Sequence, residues 1–182
     1  EIDNPEDLKV VSEKLAEVEN RTVYMSFSAD MLHSGHISII RKAARLGRLT
    51  IGVLSDEAVI SYKRYPLLPF AERKALFENI RGVSRVVEQK TLSYKENLEK
   101  IRPDFVVHGD DWVTGFQKPV REEVLAVLAE YGGKLVEFPY SSDEKYKSLE
   151  RRARADLSLP DMRRGRLRKA IEMKGTITAM EA

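Results

Sequence analysis

Val23-Tyr24-Met25-Ser26-Phe27-Ser28-Ala29-Asp30-Met31-Leu32-His33-Ser34-Gly35-His36 runs from an apolar, β-prone segment into the start of a helix, whose pattern continues through Ile37, Ile39, Ile40, Ala43, Ala44 and Leu46. Two imidazoles, three residues apart, therefore lie where a strand ends and a helix begins. The first N–H groups of a helix have no acceptor within it, and the helix dipole adds partial positive charge there. A phosphate binds readily at such a junction. Gly35, between the histidines, carries no side chain to keep an anion away from the backbone.

Working outward, the first strand spans Thr22–Phe27, Gly47 closes the helix, and 50–54 reads as a second buried strand. Strand, helix and strand form a βαβ unit, which implies parallel pairing with a right-handed crossover. Upstream, Asn4-Pro5-Glu6-Asp7 has the makings of a helix start: Asn as N-cap, Pro in the first turn, acids at the positive end of the dipole. Leu8, Val11, Leu15 and Val18 give that helix one apolar stripe. Downstream, Ser55-Asp56-Glu57 caps a short helix, and Ser61-Tyr62-Lys63-Arg64-Tyr65-Pro66 is a basic, proline-stopped loop. Pro69 opens a helix with Leu76, Phe77 and Ile80 on its apolar side. Strands are expected over 83–87, 105–108 and 134–138, with helices over 94–101 and 119–131, the last ended by Gly132-Gly133. Five short apolar strands alternating with helices predict an α/β fold: an open, doubly wound, parallel five-stranded sheet.

Composition bounds the rest. With 182 residues, the chain is long enough for one domain with a substantial core and an appendage. A domain over 1–143 is expected, then a basic helical tail over 144–182. The net charge of +2 is too small to make the whole molecule a nucleic-acid magnet. The absence of cysteine excludes disulfides, thiolate metal sites and cysteine nucleophiles. No apolar run reaches membrane-spanning length and the first residues are acidic, so the cytoplasm is the expected compartment and no membrane partner is expected. The chain begins at Glu1 rather than Met and stops at Ala182, as a piece of a longer protein would.

In open α/β sheets ligands bind outside the carboxyl ends of the strands, near a topological switch point. The segments at that edge are Ser28-Ala29-Asp30, Ser55-Asp56, His108-Gly109-Asp110-Asp111 and Tyr140-Ser141-Ser142. All three histidines of the chain lie in or beside this ring. His33 and His36 suit a phosphate by position, but they could also be a structural pair or two metal ligands. A zinc site would need a third and fourth ligand, and no further His or Cys is spaced to supply them, so no residue is assigned to a metal. Lys63 and Arg64 are candidates for phosphate, against a reading as solvated loop charges. Arg73 and Arg81 are site candidates or residues of exposed helix faces. Asp110 either serves the site or caps its turn, and Trp112 either serves the site or is half-buried packing. From Lys145 onward Lys and Arg outnumber acids; this reads as a solvated helical linker, or its first lysines reach a triphosphate. No aromatics interleave those charges, so nucleic acid is not an expected partner.

The stretch Ser28–His36, together with Ser55-Asp56-Glu57, Lys63, Glu72-Arg73-Lys74, Ile80-Arg81-Gly82-Val83 and His108-Gly109-Asp110-Asp111-Trp112, resembles the cytidylyltransferase branch of the HxGH nucleotidyltransferases in order and spacing. The resemblance runs from about Thr22 to Tyr140. It implies a Rossmann-like nucleotidyltransferase fold and transfer of a nucleotidyl group from CTP with release of pyrophosphate. It implies that His33 and His36 stabilise the α-phosphoryl transition state while Lys63, with Arg64, neutralises phosphate charge. Ser26, Phe27, Ser28, Asp30 and Gly35 would lie in the nucleotide pocket with Arg73. Arg81 and the stretch Gly109, Asp110, Asp111 and Trp112 would hold the cytidine end, with His108 a further nucleotide-binding residue. Mg²⁺ would accompany the triphosphate, held chiefly by phosphate oxygens, and a homodimer is usual in such families. Two departures stand out. Where the family has an arginine- and Ser/Thr-rich element opening a late helix, this chain has Tyr140-Ser141-Ser142-Asp143-Glu144-Lys145-Tyr146-Lys147, so Ser141 and Ser142 or the two lysines are the substitutes. Where the family has Asp after the Ile-Arg stretch, this chain has Ser84.

The tail adds a second, shorter resemblance. Arg166-Leu167-Arg168-Lys169 through Thr178-Ala179-Met180-Glu181-Ala182 is similar to the opening of a phosphoenolpyruvate mutase barrel. A cytidylyltransferase fused to that mutase is the arrangement of the bifunctional enzymes of phosphonate biosynthesis, as in antibiotic (fosfomycin) production. The implied acceptor is a small phosphonate, 2-hydroxyethylphosphonate first and its 2-aminoethyl analogue next. Glycerol- or ethanolamine-phosphate is the alternative acceptor. A nucleotide-binding module that regulates the fused mutase without turnover is the alternative of another class.

Overall fold

A computed structural model describes residues 4–28, 31–62 and 66–139, with positions 148, 149, 152 and 171 of the tail. The order is α1 (Pro5–Asn20), β1 (Thr22–Phe27), α2 (Ser34–Ala44), β2 (Arg48–Leu54), α3 (Asp56–Ile60), α4 (Phe70–Glu78), β3 (Val83–Gln89), α5 (Lys95–Ile101), β4 (Phe105–Gly109), two single 3₁₀ turns, α6 (Lys118–Tyr131) and β5 (Lys134–Phe138). The five strands form one sheet in the order β3-β2-β1-β4-β5, and every pair is parallel. This is the expected open, doubly wound α/β sheet. The basic helical tail over 144–182 lies almost wholly outside the described residues. Among the described residues no helix is long and apolar enough to cross a membrane.

Successive strand residues point to opposite faces, and β1 shows what that does. Val23, Met25 and Phe27 enter a core with Ile39, Ile40 and Ala43 of α2 and Phe77 of α4. Tyr24 enters the opposite layer with Leu98 of α5, Val106, Trp112, and Val124, Val127 and Leu128 of α6. β1 and β2 are buried on both faces, and their near-continuous apolar runs follow from that. The layer behind Tyr24 is polar at one point. The Tyr24 hydroxyl donates to Gln89 Oε1 at 2.8 Å and accepts from Asn97 Nδ2 at 2.8 Å. Glycine at position 52 makes room for that ring, since a Cβ there would lie 1.9 Å from the Tyr24 hydroxyl. Gly52→Ala is therefore expected to cost ~1–3 kcal/mol through overpacking, read as a lower urea midpoint; an unchanged midpoint would mean that Tyr24 has space to retreat.

Two helices differ from their sequence pattern. The stripe of α1 does not reach the core: Leu8 and Leu15 are 58% and 59% exposed and Val11 is exposed too, while Val18 alone of the four is half-buried. In α4 the apolar side consists of Phe77 and, beyond the helix end, half-buried Ile80; Leu76 is exposed. The buried partner of Phe77 on that helix is Arg73, a charged residue where the period suggested none.

Candidate active site

The strand order reverses between β1 and β4. The crevice outside their carboxyl ends is where such a sheet binds ligands. β1 delivers the two-histidine turn to one wall of that crevice, and β4 delivers His108-Gly109-Asp110-Asp111-Trp112 to the other.

At the first wall the imidazoles cap their own helix. His33 is the N-cap of α2, and its Nδ1 accepts from Gly35 N–H at 3.1 Å. His36 reaches back, and its Nδ1 accepts from His33 N–H at 3.4 Å. The rings lie 4.0 Å apart between centroids. A capping box of this form satisfies two of the helix's orphan donors reciprocally. It also fixes the tautomer: a ring nitrogen that accepts a hydrogen bond carries no proton, so both neutral rings hold theirs on Nε2. The expected anion donors thus change. The Gly35 and His33 amides serve the rings, and the Nε2–H groups become the donors that imidazole contributes at the helix terminus. Phe27 orients this pair from below, edge-on to His36 at 5.8 Å and stacked on Phe77 at 5.0 Å.

The second wall is built on Trp112, which is 1% exposed rather than half-buried. His108 lies flat on it, with ring centroids 3.8 Å apart and planes 8° from parallel. The indole Nε1–H donates to Glu137 Oε1 at 2.6 Å. Arg121 binds the same carboxylate through two bonds, Nε to Oε1 and Nη2 to Oε2, each 2.8 Å. These bonds, the guanidinium's first, hold the Glu137 carboxyl below its ordinary range. His108 Nδ1 lies 2.8 Å from Gly109 O and 3.6 Å from Asp111 Oδ1. Burial holds the His108 pKa below its ordinary value despite those oxygens, so the ring is neutral at pH 7. With two oxygen acceptors beside Nδ1, the proton belongs there and Nε2 carries the lone pair.

The remaining candidates divide by position. Ser26 and Ser28 sit at the carboxyl end of β1, half-buried. Asp110 and Asp111 are exposed in the 3₁₀ turn after β4, whose N-cap is Gly109. Arg73 lies on no exposed helix face; it is fully buried, 2.6 Å from Asp56 Oδ1, and its Nε donates to Leu68 O at 3.1 Å. Arg81 corrects the expectation of a place at the cytidine end. It is exposed in the turn that leads into β3, so it lies at the amino edge of the sheet, a strand length of ~20 Å from the crevice. Asp30, Lys63, Arg64, Ser141 and Ser142 lie outside the described residues. Glu137 and Arg121 were not among the sequence candidates. A charge beside Leu135, Val136 and Phe138 in the half-buried edge strand β5 was their signal, because a half-covered carboxylate is held charged most readily by a partner.

A family model described as cytidylyltransferase-like matches residues 28–154. This chain belongs to the cytidylyltransferase-like family. Among its relatives, ethanolamine-phosphate cytidylyltransferase of Arabidopsis thaliana is 35% identical over 95 residues, 49% of this chain and 23% of the relative. Glycerol-3-phosphate cytidylyltransferase of Staphylococcus aureus is 35% identical over 85 residues, 46% of this chain and 64% of the relative. The chain thus spans less than two thirds of the length of these curated relatives. The crystal structure of a lipopolysaccharide core biosynthesis protein from Thermoplasma volcanium superposes with a TM-score of 0.57 at 21% identity, covering 67% of this chain and 98% of that one, a likeness of fold.

Proposed function

We propose that this chain is a cytidylyltransferase that moves CMP from CTP to a small phosphonate, with 2-hydroxyethylphosphonate the first choice. A phosphonate oxygen attacks the α-phosphorus, the bond from that phosphorus to the pyrophosphate oxygen breaks, and pyrophosphate leaves. The observation that carries the reading is the reciprocal cap of His33 and His36. It puts two Nε2–H donors at the positive end of α2, beside the switch point of a family whose members are named as cytidylyltransferases. Preorganised donors aimed at charge that develops on phosphoryl oxygens are the protein's main contribution to such a transfer. Lys63, with Arg64, would neutralise the β- and γ-phosphates, and Ser28 and Asp30 would line the nucleotide pocket. The Gly109–Trp112 wall would take the cytosine.

Mg²⁺ fits as a companion of the nucleotide. Among the described residues no group of three or more His, Cys, Asp or Glu side chains could hold a metal, and magnesium bound mostly by triphosphate oxygens needs no such cage. Its chemistry would be to neutralise the leaving pyrophosphate. In a longer protein a mutase domain would follow, and two copies of the chain would pair. The phosphonate is supported by the tail's resemblance to a mutase opening. The names of the relatives favour a phosphate ester instead, which makes ethanolamine-phosphate or glycerol-phosphate the second reading.

Pyrophosphate release with CTP, Mg²⁺ and a panel of both acceptor types tests the proposal. The highest kcat/KM is expected with 2-hydroxyethylphosphonate. A higher value with phosphoethanolamine or glycerol-3-phosphate would replace the acceptor and keep the reaction. CMP binding without turnover of any acceptor would reduce the chain to a nucleotide-binding module.

A further inference from the structure

The Glu137 carboxylate is more elaborate than stability requires. An ion pair this exposed to water adds little to stability, and β5 is otherwise Lys134, Leu135, Val136 and Phe138 around it. What the pair does is geometric. Oε1 is shared between the Arg121 Nε–H and the only polar atom of the Trp112 side chain, and Oε2 takes the second guanidinium bond. Arg121 stands on α6 and Glu137 on β5, so a helix and a strand both brace the indole. The indole is the floor on which His108 lies. We propose that Glu137 and Arg121 are positioning residues for the base end of the nucleotide site: they fix Trp112, Trp112 fixes the plane of His108, and His108 reads the base.

This rests on the reading of the crevice as a CTP site. The His108 side chain is 16% exposed above a fully covered Trp112, so it is the member of the stack that a ligand can meet. Gly109 O and Asp111 Oδ1 beside Nδ1 leave Nε2 as an acceptor. An acceptor complements the exocyclic amine that cytosine has and uracil lacks. A mispositioned ring would therefore cost base choice more than it costs chemistry, because a polar group left unpaired is what rejects the wrong ligand.

Trp112 is the only tryptophan, so its emission reports on this stack in the intact chain. Protonating His108 places an imidazolium against the indole and quenches it. The carboxylates of Asp111 and Glu137 face that ring, and Arg121 stands behind Glu137. In the wild-type chain, emission is expected to fall in one step on acidification below neutrality, and CTP is expected to bind far better than UTP. Glu137→Gln and Arg121→Lys should diminish or shift the acid step. They should narrow the CTP-to-UTP ratio of dissociation constants about tenfold, the loss expected of one hydrogen bond, with KM for CTP rising more than kcat falls. Variants that melt earlier but keep the wild-type acid step and nucleotide ratio would show a merely structural pair and overturn the proposal. Failure of the wild-type chain to bind CTP would overturn it from the other side. An acid step that still responds to Glu137→Gln would then place the fault in the nucleotide reading and not in the brace.

Discussion

His36→Ala is expected to lower pyrophosphate release from CTP by ~10²–10³-fold, the size of effect seen when one preorganised donor to a developing phosphoryl or oxyanion charge is removed. The structure separates this loss from a folding defect. The ring's link to the backbone is a long one, Nδ1 accepting from His33 N–H at 3.4 Å. The helix keeps its other cap, the 3.1 Å bond from Gly35 N–H to His33. An N-cap contact of this kind is worth ~1 kcal/mol, and His36 is only half-buried. Alanine should therefore leave the unfolding midpoint within a few degrees of wild type while turnover collapses. Asparagine, whose side-chain oxygen can restore the bond to His33 N–H but cannot place a donor where Nε2 stands, is expected to recover stability and not turnover. Turnover that survives in both variants would remove His36 from the mechanism. A parallel collapse of midpoint and turnover in alanine would assign the ring to the cap alone.

Which parts of this site a linear reading can reach follows from where the information lies. Thr22–Phe27 and Lys134–Phe138 are strands over the spans expected, because a short strand is written in a brief, mostly apolar and β-prone run bounded by turn formers. The crevice was legible for the same reason: alternating strands and helices place every strand's carboxyl end on one edge. Strand order was not. Arg81 was within reach of the same rule: it stands before β3, so its turn lies at the opposite edge although its neighbours in sequence belong to the site's motifs. Arg73 was hidden by its own chemistry. A guanidinium on a helix reads as solvent-facing until a carboxylate seventeen residues earlier is folded against it. Trp112 and Glu137 meet across 25 residues and two elements, and no local period connects them. The α1 stripe shows the converse case. Its apolar spacing forms the expected helix, yet spacing alone says nothing about which surface the stripe meets.

Asp56→Ala is expected to be among the most destabilising single changes in the chain, at ~3–5 kcal/mol, because it removes one partner of an ion pair whose guanidinium is fully buried. Arg73 is 0% exposed, and its partner's carboxylate is 2.6 Å away. The pair does more than neutralise itself. Asp56 begins α3, just after Ser55 caps that helix through its bond from Ala58 N–H at 3.1 Å. Arg73 Nε donates to Leu68 O, beyond residues 63–65. One guanidinium thus ties Asp56, before those residues, to Leu68, after them. If Lys63 acts on phosphate as proposed, the pair fixes the described segments on either side of it. Loss of the carboxylate should lower both the unfolding midpoint and the affinity for the triphosphate. The double replacement Asp56→Leu with Arg73→Met discriminates between the two effects. Without a stranded charge it should regain most of the lost stability, since apolar substitutes for a buried pair are commonly neutral. It also removes the Nε bond to Leu68 O, which Asp56→Ala leaves in place, so the triphosphate affinity should remain low. A double variant that recovers stability and affinity together would show that the ion pair serves packing alone, while one that stays as unstable as Asp56→Ala would mean that the Leu68 carbonyl, and not the stranded charge, carries the cost.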